Sequence, residues 1–328
     1  MATKRPALGV IDSLGAGFES INRIIWIIVL PLAVDLFLWL GPPLSMAPVA
    51  RRFLDWYGQI ATGPFAEAAA QGSGVDPVRQ ALEALGSDFN LFQLLVTSFA
   101  NVPSAVTTPL SGFSQATQVD SLPVFLALVV GLEVAGALIG CLYLGAIAQQ
   151  VRSGEVNLGV LGRRVWSYWL NVLGYAGLLL AAGLGAGLVS SLLIAMTALA
   201  SPALGTALAM LMILVWWSAV FIVLLFTFFL VDAIVVSEVG PWRALINSSR
   251  VVSRNMGASV GLIFLLWVIA GGTRVIWDWL PNQTWGTLTA ILVNAYIGSG
   301  LAAASMTFYK NRVEQLAGAG EQGARRLA

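Results

Sequence analysis

Three charged side chains sit where the chain is otherwise hydrocarbon: Asp35 within residues 24–41, Glu133 within 122–148 and Arg274 within 258–279. A bare charge in such a run is costly, so it is paired, hydrated or used. Carboxylates in that setting can hold a cation, relay a proton or meet a lipid headgroup. At a rise of about 1.5 Å per residue, Asp35 and Glu133 both fall roughly 16 Å from the start of their segments, near the middle of a hydrocarbon core of about 30 Å. Arg274 lies shallower, toward the outer face. One expectation is therefore a polar intramembrane cavity in which Arg274 stands above the two carboxylates. The other is structural: Asp35 and Glu133 hydrogen bond between helices, and Arg274 pairs with Asp278 at i,i+4.

Other chemistry is sparse. Histidine is absent, which removes His-based acid–base catalysis, Ser-His-Asp triads and the usual zinc sites. The single cysteine, Cys141, sits in an apolar run and can form no disulfide within the chain. No Gly-rich phosphate loop, metal-ligand cluster or nucleophile elbow is present, and the sequence points to no cofactor. Gly183-Leu-Gly185-Ala-Gly187 lies inside an apolar helix and reads as a packing surface. Asp232 and Glu238 fall at the end of the fourth crossing, where Glu238 reads as a cap for the helix that begins at Pro241.

The elements that must carry these residues follow from composition. Apolar residues make up 58% of the chain and charged residues 10%, with a mean hydropathy of +0.84. A surface that greasy needs lipid as its solvent. The fold expected is all-α and polytopic, with about six crossings at 24–41, 122–148, 165–199, 203–231, 258–279 and 285–308. Residues 165–199 are too long for an upright span. A cleaved signal peptide is the weaker reading of 24–41, since Met46-Ala47-Pro48 is a poor cleavage context. Gly136 and Gly140, four apart, would let a neighbouring helix approach, and Ala295, Ser299 and Ala303 form a second small-residue stripe.

Between the crossings lie three cytoplasmic interface segments and one insertion. Residues 1–23 place Val10, Ile11, Leu14, Phe18 and Ile21 on one helical face. Residues 149–164 form a basic loop carrying Arg152, Arg163 and Arg164. Residues 240–256 begin at Pro241, which suits a first helical turn, and alternate an apolar face of Trp242, Leu245, Ile246, Ser249, Val252 and Met256 with Arg243, Asn247, Arg250 and Arg254. Arg243, Arg250 and Arg254 are candidate contacts for anionic lipid headgroups. Residues 44–120 are a helical extracytoplasmic region, with Asp76-Pro77 and Ser87 or Asp88 as helix starts, Gly86 as a stop and a stripe of Phe89, Phe92, Leu95, Val96 and Phe99. That stripe rests on the leaflet or the bundle, or forms a ligand-binding lid. Residues 309–328 are a cytoplasmic tail.

Of the 17 basic residues, only Arg51, Arg52, Arg79 and Arg274 fall on or toward the far side, which puts both termini in the cytoplasm. A net charge of +1 argues against a nucleic-acid partner and leaves the bilayer as the expected one. A basic segment followed by an outward and a returning helix recurs near Leu8, Glu155 and Pro241, either as a parallel repeat or as hairpins under the charge rule.

Over Glu238-Val-Gly240-Pro-Trp-Arg-Ala244-Leu245-Ile-Asn-Ser248 and on to Asn255, the chain resembles the membrane-domain family fused to some bacterial glycerophosphodiester phosphodiesterases, and its stand-alone uncharacterised relatives. The resemblance is strongest over 221–267, weaker over 8–40 and absent from 44–120. It implies a polytopic helical inner-membrane protein. It carries no phosphodiesterase activity, because the chain has no room for the catalytic barrel and lacks its histidines. The reading is thus an integral membrane protein, in a non-enzymatic membrane-organising or accessory role, or else a transporter or lipid-handling protein built on Asp35 and Glu133.

Overall fold

A computed structural model describes residues 8–61, 89–106, 116–279 and 284–327. The chain opens with α1 (Val10–Arg23), a single 3-10 turn at Ile25–Ile28 and α2 (Val29–Leu40), bent by 91° between the first helix and the rest. β1 (Leu44–Ser45) and α3 (Ala47–Ala61) follow, then a short helix α4 (Leu94–Thr97) and β2 (Thr117–Gln118), which pairs in parallel with β1. The remainder is helical: α5 (Leu122–Ser153), α6 (Leu158–Ala200), α7 (Pro202–Thr227), α8 (Leu230–Ser237), α9 (Pro241–Arg254), α10 (Met256–Trp279) and α11 (Thr284–Leu327). Among the described residues, α5, α6, α7 with α8, α10 and α11 are each long and apolar enough to cross a membrane, and α1 with α2 makes a sixth if the bent pair is one span. The protein is an all-α, polytopic membrane protein.

Several local choices are visible in the residues. Proline opens α7 and α9, where its missing N–H has no helical partner to lose. The basic loop expected at 149–164 is mostly helix. Gly154, at φ 77°, closes α5 in a left-handed conformation that costs glycine nothing, and Asn157 caps α6 by accepting from the Val160 N–H at 3.1 Å.

The two amphipathic helices face the bundle with small residues and with part of their apolar stripes: Ile21 of α1 and Val252 of α9 are fully buried, and Val10, Leu14, Phe18 and Leu245 partly so. α1 packs antiparallel along α11, from Leu8 beside Asn311 to Asn22 beside Tyr296, and buries Ser13, Gly17 and Ile21 while Ile11 stays exposed. The reason is backbone proximity: a Cβ on Gly17 would stand 2.4 Å from the Ala304 nitrogen, and one on Gly300 would stand 2.3 Å from the Phe18 ring. α9 likewise buries Ala244, Ser248, Val251 and Val252, leaving Trp242 exposed. Ser248 donates to the Phe226 carbonyl at 2.7 Å, next to the break between α7 and α8. The stripe of Ala295, Ser299 and Ala303 is fully buried, and Tyr143 of α5 donates to Ser299 at 2.7 Å.

α1 and α9 also share their ends. Each has 14 residues, starts after a glycine near φ −65° and ψ 165–170° (Gly9, Gly240), and stops at a residue near φ −130° and ψ 40° (Ile24, Asn255). Their buried positions coincide when the glycines are aligned: Ser13 with Ala244, Gly17 with Ser248, Ile21 with Val252. In the middle unit, α6 instead runs unbroken for 43 residues.

Residues 94–106 depart furthest from the expectation of a helix over 89–99. A 3-10 turn at Leu91–Gln93, capped by Asn90, leads into α4, and the helix stops at Thr97. Beyond it the chain enters the bundle as a strap whose burial alternates, with Ser98, Ala100 and Val102 inward and Phe99 and Asn101 outward. The Gly136–Gly140 spacing receives the short helix α4 at one glycine and the strap at the other: a Cβ on Gly140 would fall 1.7 Å from the Ala100 carbonyl oxygen, and one on Gly136 2.8 Å from those of Leu94 and Leu95 in α4. The helix signals at Asp76, Gly86, Ser87 and Asp88 lie outside the described residues.

Candidate functional site

Irregular backbone inside a membrane bundle must find hydrogen bonds within the protein or line a cavity, and the strap does both. Its buried side is held by Asp35. That carboxylate, fully enclosed on α2, accepts from the Ser104 hydroxyl, from the Ala105 N–H at 3.0 Å and from the Val106 N–H. Asp35 is a clamp on buried backbone, with its acceptor capacity largely taken up by the chain itself.

The strap, with residues from both of its sides, forms one wall of a cavity of about 820 Å³, completed by α8, α10 and α11. The cavity is elongated. From Ile263 to Trp277 along α10 is roughly 21 Å at about 1.5 Å per residue. At one end Asp232 of α8, buried, accepts from the Ser305 hydroxyl of α11. At the other stand Arg274, Trp277 and Asn294, and the Trp277 indole N–H is buried with no partner among the described residues. Val96, Val102, Ile263, Leu266 and Leu301 make the walls between. Trp267, Ala270, Gly271 and Arg274 of α10 line the cavity and are exposed, so it opens to the protein's outer surface along α10.

The residues singled out from sequence are thus divided. Arg274 lines the cavity; Asp35 does not line it but bonds three residues that do, Ser104, Ala105 and Val106; Glu133 does not line it. Glu133 is half-buried on α5 and makes no hydrogen bond or ion pair among the described residues. The Asp278 side chain, expected to pair with Arg274, lies outside the described residues. The carboxylate that does belong to the cavity, Asp232, reads in the sequence as a helix-end residue. The signal for it was the four apolar residues Ala233–Val236 that follow and keep it inside the span.

Glu238 does not cap α9. Gly240 occupies that position with no side-chain bond, and Glu238, at φ 54°, turns back to ion pairs with Arg152 and Arg164 and accepts from Tyr168 at 2.9 Å. It ties α5 and α6 to the α8–α9 corner. Lys310 adds to the same face by donating to the Val151 carbonyl at 2.9 Å, satisfying an orphan acceptor in the last turn of α5. Of the candidate lipid contacts, Arg243, Arg250 and Arg254 are all exposed on α9. Among the described residues no cluster of three or more His, Cys, Asp or Glu side chains converges on a metal site.

No protein-family model, curated protein or solved structure matches this chain. The cavity therefore has to be interpreted from its own chemistry.

Proposed function

We propose that this integral membrane protein handles an amphiphilic anion, held lengthwise in the cavity with its charged group at Arg274 and its apolar part along the strap and α10. The observation that carries the reading is the lining: an unpartnered indole N–H and a guanidinium at one end, aliphatic walls along roughly 20 Å, and a buried Asp232–Ser305 pair at the other. A cavity in the range of about 300–1,000 Å³ is of ligand size. Because it opens to the outer surface along α10, a membrane-dissolved molecule would enter sideways.

The distribution of basic residues supports both termini on the cytoplasmic side of the inner membrane as part of this proposal. The resemblance over 221–267 to the membrane domain fused to phosphodiesterases joins it only as a plan of spans around an amphipathic helix. A second reading, a non-enzymatic membrane-organising or accessory role, is favoured by the α6–α7 hairpin. Beyond Tyr175 of α6, no residue of α6 is buried, and on α7 only Gly205 is, against Ala198 of α6. Native mass spectrometry of the gently solubilised protein separates the two. The wild type is expected to retain an anionic amphiphile that Arg274→Gln loses. Identical retained molecules in both would remove the cavity reading and leave the organising one.

A further inference from the structure

The cytoplasm-assigned end of the molecule holds a second, smaller cleft, of about 260 Å³, between α9 and residues 313–317 of α11. Asn247, Arg250 and Arg254 line one side; Val313, Leu316 and Ala317 line the other. The volume is below the usual span for a drug-sized molecule, about 300–1,000 Å³, so it takes a group and not a whole ligand. Arg250 and Arg254 are i,i+4 neighbours of like charge, an arrangement that destabilises a helix unless an anion lies between them.

Most other arginines in this half are occupied. Arg152 and Arg164 meet Glu238, Arg23 meets Glu19, Arg312 donates to the Leu8 carbonyl and to Gln315, and Arg163 bonds its own helix at the Gly159 carbonyl. The guanidinium groups of Arg250 and Arg254 have no hydrogen bond or ion pair among the described residues, yet they border a formed cleft whose far wall is apolar. Two guanidinium forks opposite hydrocarbon fit a phosphate carried on an acyl-bearing molecule, with the phosphate taken bidentately and the chain leaving along Val313 and Leu316.

We propose that this cleft is a site for the phosphate of an anionic lipid headgroup, distinct from the cavity around Asp232 and Arg274. Arg243 supplies the internal control, since it lies on the same face of α9 two turns earlier and does not line the cleft. The full chain would be placed in phosphatidylcholine nanodiscs containing a minor fraction of phosphatidylglycerol, and the tightly retained lipids counted by native mass spectrometry. The expected result is that wild type and Arg243→Gln retain phosphatidylglycerol, while Arg250→Gln and Arg254→Gln each lower the retained ratio by roughly tenfold. Arg250→Lys and Arg254→Lys, which keep the charge and lose the fork, should fall between. Equal loss in Arg243→Gln would overturn the site in favour of diffuse attraction, and unchanged retention in both glutamine variants would overturn it outright. Displacement of phosphatidylglycerol by millimolar inorganic phosphate would overturn the lipid assignment and give the cleft to soluble phosphates.

Discussion

Two buried aspartates, Asp35 and Asp232, sit in helices of similar composition and end in opposite situations. Asp35 receives a hydroxyl and two backbone N–H groups from a strap that has no helix or sheet to satisfy it. Asp232 receives the Ser305 hydroxyl alone, and it lines a cavity. A carboxylate whose acceptor sites are filled by its own chain is part of the architecture. One with acceptor capacity left, facing open volume, is available to something else. The difference lies in what the opposite wall offers, not in the residue type or its depth in a helix.

The contrast would be broken most sharply at Asp35. Asp35→Ala orphans buried donors of the strap and should cost about 3–5 kcal/mol, read as loss of thermal stability in detergent. A variant as stable as wild type would mean the strap is not held there. Next comes Gly140→Ala, which pushes a methyl into the Ala100 carbonyl and should cost about 1–3 kcal/mol in the same assay. Asp232→Asn keeps an acceptor for Ser305 and should change stability by less than about 1 kcal/mol while altering which molecule co-purifies. If its stability loss matched that of Asp35→Ala, the two aspartates would be equivalent and the contrast lost. The smallest effect is expected from Gly183→Ala, within about 0.5 kcal/mol, because nothing lies within 4 Å of the added carbon. That pair of glycine variants separates the strap's demand for space from a general demand for small residues.

How far the sequence could be read follows from the range of the forces involved. The helix start at Pro241 and the long apolar runs are local, and the structure places them as the residues imply. The rotation of each helix about its axis is not local. α1 and α9 turn Gly17, Ala244 and Ser248 to the bundle beside only part of their apolar stripes, because Ala304 and Phe226, hundreds and tens of residues away, set the closest approach. The same applies to Gly136 and Gly140: the spacing announces a close neighbour, but only the fold shows that the neighbour is α4 at Gly136 and the strap at Gly140. Counting depth along single helices put Asp35 beside Glu133 and passed over Asp232, since it carries no information on which helix faces which. The part of α6 beyond Tyr175 and most of α7 illustrate the converse, as a hairpin with an exposed apolar surface and little packing to set its rotation.

The most direct test of the cavity beside Asp232 uses the protein's lone thiol as its own control. Cys141 is fully buried and does not line the cavity, whereas Ser305 does. In intact membranes a small thiol reagent should leave the wild type unmodified and label Ser305→Cys, with labelling suppressed once the co-purified amphiphile is supplied in excess. A Ser305→Cys variant that reacts only after denaturation would contradict the account, because Asp232 would then be sealed as completely as Asp35.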